Sequence, residues 1–203
     1  TDSFGPIDLP ADALWGAQTE RSRRFFAIGA QRMPLALVHA LAHIKRAAAE
    51  VNRDLGRLPA DVADAIADAA LDVADGRHDA QFPLSVWQTG SGTQTHMNVN
   101  EVLALLAARA LAARSQAQPV HPNDHVNLGQ SSNDVFPSAM HVAAVLAVRP
   151  LLATLAALVA ALRERATAFA GIAKVGRTHL QDATPVTFGQ EFNAYAAQLG
   201  LAQ

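Results

Sequence analysis

Apolar residues at Leu37, Val38, Leu41, Ile44, Ala48 and Val51 recur at spacings of three and four, the period that gathers side chains on one face of a helix. The pattern predicts an amphipathic helix over residues 34–55. A second stripe, Val62, Ile66, Ala69 and Val73, follows Pro59 and ends at Gly76; proline suits a first helical turn and glycine a helix end. Val102, Leu103, Leu106 and Ala110 predict a third helix over residues 98–114. The longest element is expected over residues 135–169, built of strong helix formers. Pro137 fits its first turn, whereas Pro150 removes a backbone bond in its interior and is expected to kink it. A helix of roughly 30 residues is about 45 Å long, more than the diameter of a domain this size. Ala and Leu occupy more than one of its faces, which predicts burial by neighbours the chain does not itself supply, most simply by subunit association. The first thirty residues, punctuated by Pro6 and Pro10, read as irregular. Period-two alternation is scarce, so the fold class is all-α.

Three polar stretches interrupt this apolar pattern: TGSGTQTHMNVNE (89–101), HPNDHVNLGQSSND (121–134) and GRTHLQDATP (176–185). Each lies just ahead of or between predicted helices. They stand out because 50% of the 203 residues are hydrophobic and only 17% are charged, the balance of an ordinary globular protein. A formal net charge of −2 argues against a nucleic-acid or anionic-membrane partner, which selects a basic face. With no cysteine, disulfides, thiolate metal sites and cysteine nucleophiles are excluded. No apolar run approaches the roughly 20 residues that span a bilayer. The opening TDSFGPIDLPADALWG has no basic segment ahead of an apolar core, so a cytoplasmic protein is expected.

In the first stretch Gly90 and Gly92 flank Ser91, with Thr93 next. Such a loop presents backbone N–H groups and hydroxyls where a helix begins, which suits a carboxylate or phosphate; a plain turn and helix cap explains the same residues. It lacks the lysine of a nucleotide-binding loop and no strand precedes it. In the second, Ser131, Ser132 and Asn133 stand ahead of the long helix, where they cap it or aim neutral donors at an anion. Capping alone accounts for one or two of these residues, not for fourteen positions of sustained polarity. In the third, His179 sits beside Thr178, Gln181 and Asp182, and its ordinary pKa near neutrality suits proton transfer. A metal held by His121, Asp124 and His125 matches no familiar ligand spacing. The GxSxG elbow of a serine hydrolase is absent.

Together, and in this order, the stretches resemble the fumarase/aspartase superfamily and within it the class II, iron-independent fumarases. GSGTQTHMNVNEV, VHPNDHVNLGQSSNDVFPSAMH, VGRTHLQDATPVTFGQEF and the opening DSFGPIDLPADALWGAQTERS are each similar to long fumarase blocks. Aspartases typically carry Gln, Thr and Asn where this chain has His179, Ser132 and His121, which favours the fumarase side. The resemblance implies a small N-terminal helical domain (1–132) and the start of a long central helical bundle (133–203). It implies reversible anti addition of water to fumarate to give L-malate, without cofactor or metal. Ser91, Gly92, Thr93, Ser131, Ser132, Asn133 and Thr178 would bind the substrate carboxylates, and His179 would assist proton transfer through a bound water. His121, Pro122, Asn123 and Asp124 would form a second dicarboxylate site. Family members are homotetramers whose active sites draw on three subunits, so Asn133 and His179 would not come from one chain.

The match is incomplete. The family's GSSxMPxKxN loop, which carries the serine favoured as catalytic base, is not among these 203 residues, so the chain alone is expected to be inactive. His96 stands where fumarases usually have Asn, Leu128-Gly129 replace a pair that often reads Lys-Ser, and Gln118 stands where a basic residue often precedes HPND. An aspartase-like lyase and a non-catalytic structural relative are the rival readings. Ammonium dependence separates the first from a fumarase, and fumarate titration separates the second.

Overall fold

Helices form where the apolar stripes place them, with one systematic shift in which side chains face inward. The structure is a computed structural model that describes residues 2–203. Its elements are α1 (Ala17–Phe25), α2 (Leu35–Asp54), α3 (Ala60–Ala74), α4 (Thr93–Ala113), α5 (Ser132–Ala168), β1 (Ala173–Thr178), β2 (Gln181–Thr187) and α6 (Phe188–Leu201). Two compact units divide the chain, Thr1–Ala143 and Ala144–Gln203, and α5 begins in the first and ends in the second. In the first unit α2, α3 and α4 pack around Val38, Leu41, Ile66, Val73, Val99, Val102, Leu103 and Leu111, all buried.

On α2 the inward stripe is Val38, Leu41, Lys45, Ala49 and Asn52, not the predicted run through Ile44, Ala48 and Val51. Ile44 and Ala48 are half-buried, and Val51 is 55% exposed. Polar partners on the 127–130 turn draw the two hydrophilic residues inward: Asn52 Nδ2 donates to the Leu128 carbonyl at 3.0 Å, and Lys45 reaches two side-chain amides there. A hydrophobic count cannot register such a pairing.

The first thirty residues are not wholly irregular, because α1 forms after Gly16. Its cap comes from far along the chain. The buried Glu101 carboxylate accepts the backbone N–H of Gly16 (3.0 Å), Gln18 (2.9 Å) and Thr19 (3.1 Å) and the Thr19 hydroxyl (2.6 Å), placing an anion on the positive end of the helix. Glu101→Gln turns an amide N–H₂ toward those donors. It is expected to cost about 2–4 kcal/mol in urea denaturation; a loss below about 0.5 kcal/mol would show that the cap is dispensable.

α4 starts at Thr93 rather than near Asn98, because Gln88 Oε1 accepts from the Thr95 backbone N–H and hydroxyl, both at 2.9 Å, and secures the first turn. α5 runs through Pro150 without a break. It contains an 18-residue window of mean hydropathy 2.2, only 6% of it buried. This corrects the expectation that no segment nears the length of a bilayer span: by length and composition this helix is sufficient. Arg149 and Pro150 split the run in the sequence but not in the helix. Val142, Val145, Leu146, Leu151, Leu152 and Leu158 are exposed along it.

The all-α expectation also needs one amendment. The chain is predominantly helical, but β1 and β2 pair antiparallel, with Thr178 opposite Gln181 and Ala173 opposite Thr187. β-Branched residues at Val175, Thr178, Thr184, Val186 and Thr187 favour the pleat. The ladder is irregular between Val175 and Arg177, where a side chain on Gly176 would meet the Thr184 carbonyl at 2.8 Å. α6 follows directly, its start fixed by a capping box in which Thr187 and Gln190 bond each other's backbone N–H.

Candidate active site

The 89–93 loop turns sharply into α4. Gly92 closes a turn on the Thr89 carbonyl and adopts φ +70°, which favours glycine. A Cβ there would lie 2.5 Å from three carbons of the Phe136 ring, so glycine is also required by the approach of α5. The loop leaves Ser91 and Thr93 exposed, linked by a 3.2 Å bond between their hydroxyls. The start of α5 sits against this loop. Ser131 precedes the helix and its hydroxyl accepts from the Asn133 backbone N–H at 3.3 Å; Asn133 itself is exposed on the first turn. Ser132 is half-buried, its oxygen 2.6 Å from Nδ1 of His96 on α4. The first two polar stretches are therefore brought together through the His96–Ser132 bond and the approach of Phe136 to Gly92. Ser91 and Thr93 stand at the start of α4 and Ser131, Ser132 and Asn133 at the start of α5, two helix ends that favour an anion.

Beneath them lies a network that the polar stretches did not reveal. Lys45 is fully buried and donates to Asn127 Oδ1 (2.9 Å) and Gln130 Oε1 (2.8 Å). Gln130 in turn donates to the Val126 carbonyl at 3.0 Å, so the turn leading into Ser131 is braced from below. Burial pulls the Lys45 ammonium down from 10.5 to about 7. Burial, and secondarily the Lys45 charge, pushes the His96 imidazolium from 6.5 to about 3, so this ring is neutral at physiological pH. The available signal was spacing: Lys45 falls four residues after Leu41, on the inward face.

A pH dependence follows for Lys45. From about 7 to 10.5 the unfolded chain holds a proton that the folded chain has released. Stability therefore rises with pH through that window, by at most about 1.4 kcal/mol per pH unit, and this contribution is flat below it. Urea denaturation across the window should show the rise in the native chain and its loss in Lys45→Met. Equal slopes for the two would contradict this assignment.

Residues 122–126 form a single wide helical turn after His121. His121 Nδ1 accepts from the backbone N–H of Asn123 (3.3 Å) and Asp124 (3.2 Å). The Asp124 carboxylate lies 3.1 Å from the same nitrogen, a pair that forms only if the ring takes a proton there and gives up both backbone contacts. His121, Pro122 and Asn123 line an open cleft of about 840 Å³ that is also lined by Trp15, Gln18 and Glu101. Among the described residues no cluster of three His, Asp or Glu side chains is placed to hold a metal ion.

Thr178 and His179 belong to the second unit. Thr178 ends β1, and His179 and Leu180 form a two-residue hairpin turn, both with positive φ (+51° and +61°). Two non-glycine residues in that conformation are strained, and such strain clusters at functional sites. His179 is exposed at the tip.

A family model described as "Lyase" matches residues 5–202. The chain belongs to this lyase family. The class II fumarate hydratase of Chromobacterium violaceum is 60% identical to it over 205 residues, covering 100% of this chain and 44% of that protein. That of Thermosynechococcus vestitus is 58% identical, with the same coverage. Among solved structures, the recombinant class II fumarase from Schistosoma mansoni matches with a TM-score of 0.87 at 47% identity, over 99% of this chain and 43% of that one. A fumarate lyase:delta crystallin from Brucella melitensis matches at 0.85 and 42% identity, over 98% and 47%. This lyase chain thus spans less than half the length of the curated relatives it matches.

Proposed function

We propose that the polypeptide carrying this chain is a fumarate hydratase, interconverting fumarate and L-malate. The observation that carries the reading is the meeting of the Ser91–Gly92–Thr93 loop with Ser131, Ser132 and Asn133 at the start of α5, joined by the His96–Ser132 bond. Removing a C3 proton from malate converts the neighbouring carboxylate into an aci-carboxylate dianion. Preorganised neutral donors lower that barrier without neutralising a catalytic base. The hydroxyl at C2 leaves as water once an acid protonates it; in the reverse direction water adds at C2 and a proton at C3. In this proposal Ser91, Gly92, Thr93, Ser131, Ser132, Asn133 and Thr178 hold the carboxylates. His179, offered on a hairpin tip, moves a proton through a bound water. His121, Pro122 and Asn123, which line the cleft, form a second dicarboxylate site together with Asp124.

Homotetramer formation belongs to the same proposal, supported by the exposed apolar length of α5. So does a cytoplasmic location. The 203-residue chain by itself is proposed to be inactive, because the serine-bearing loop of the resemblance is not within it. The test is a chimaera in which this chain replaces the matched N-terminal part of the C. violaceum enzyme. Ultraviolet absorbance should show fumarate consumed at a rate indifferent to ammonium. A folded chimaera that leaves fumarate untouched, or converts it only with ammonium present, would refute the proposal.

A further inference from the structure

The His96 ring is fully buried, with Nδ1 2.6 Å from the Ser132 oxygen and Nε2 without a hydrogen-bond partner. The Ser132 hydroxyl has no other hydrogen-bond partner among the described residues. A neutral imidazole carries one proton, and its two tautomers leave different debts. With the proton on Nε2, a buried N–H is orphaned and Nδ1 draws the Ser132 proton inward. With the proton on Nδ1, the unpaired group is a bare lone pair, and the ring donates to Ser132. A buried donor without an acceptor is the rarer and costlier defect, so the second arrangement is favoured.

We infer that His96 is a positioning residue for Ser132: as the Nδ1–H tautomer it donates to the serine oxygen and leaves the serine proton free to be given to a bound carboxylate. The functional half of this inference rests on the fumarate hydratase reading; the tautomer does not. The device sets hydrogen-bond polarity at the helix start. A hydroxyl that donates inward offers an anion only lone pairs, whereas one that accepts from beneath offers its proton. Lys45 completes the arrangement by pinning Asn127 and Gln130, so the turn that delivers Ser131 and Ser132 is held from the same side. His96 touches no substrate atom in this scheme and acts through Ser132 alone.

The test is ¹⁵N NMR of the histidine rings in the full chain, with His96→Asn supplying the assignment. The expected result is a protonated Nδ1 and a bare Nε2 that does not titrate through neutral pH; the opposite tautomer overturns the inference. Calorimetric titration of the complete enzyme with fumarate supplies the second arm. His96→Leu should bind about tenfold more weakly. His96→Asn, whose amide N–H replaces the ring donor, should stay within about threefold. Unchanged affinity in His96→Leu, or equal losses in both variants, would overturn the positioning role. A native enzyme that binds no fumarate would instead sink the hydratase reading, and the tautomer measurement would still decide the orientation of Ser132.

Discussion

Asn133→Asp in a catalytically complete enzyme is expected to lower kcat/KM for fumarate hydration by about 10²–10³ while leaving stability unchanged or raised by about 0.3–1 kcal/mol. The two effects have opposite signs for one reason. Asn133 sits on the first turn of α5, exposed, where the helix end carries a partial positive charge. An aspartate there is favoured by the helix, but it meets a substrate carboxylate with like charge and removes an amide donor. Stability and activity therefore separate, which a loss of folding cannot imitate. Parallel urea denaturation and initial-rate assays decide it. An active Asn133→Asp enzyme would remove Asn133 from the carboxylate site.

The second large effect is structural. Gly92→Ala places a methyl 2.5 Å from the Phe136 ring at φ +70°, so both overpacking and a left-handed backbone oppose it. The combined cost is expected at about 2–5 kcal/mol. Phe136→Leu in the same chain should return the overpacking share and none of the backbone share, a coupling of about 1–2 kcal/mol in a double-mutant cycle. Additive effects would mean that Gly92 is needed for its conformation alone. The consequence for function is direct, because the same contact sets the 89–93 loop against the start of α5.

Much of this organisation was legible from the chain. The α3 stripe of Val62, Ile66, Ala69 and Val73 is buried as its period requires, and the polar density of residues 121–134 marked the start of α5. What escaped notice depends on partners remote in sequence. α1 owes its cap to Glu101, 85 residues beyond Gly16, so its local Gly- and Pro-rich context gave no warning. Lys45 and Asn52 occupy inward positions because amides and a carbonyl at 127–130 await them, which no hydrophobic period can encode. The hairpin turns on His179 and Leu180, with neither the glycine nor the asparagine that usually announces a two-residue turn. The roles of individual site residues came from the resemblance to class II fumarases; the geometry added Lys45, which no polar motif singled out, and gave His96 of the first stretch a partner in Ser132.

The most direct measurement is proton NMR of the product formed from fumarate in D₂O by the chimaera. A donor array that fixes both carboxylates while water and a deuteron add from opposite faces should yield a single diastereomer of L-malate, monodeuterated at C3, with no aspartate. A mixture of C3 diastereomers, an amine product, or unreacted fumarate from a folded enzyme would contradict the central claim that these segments bind and hydrate fumarate.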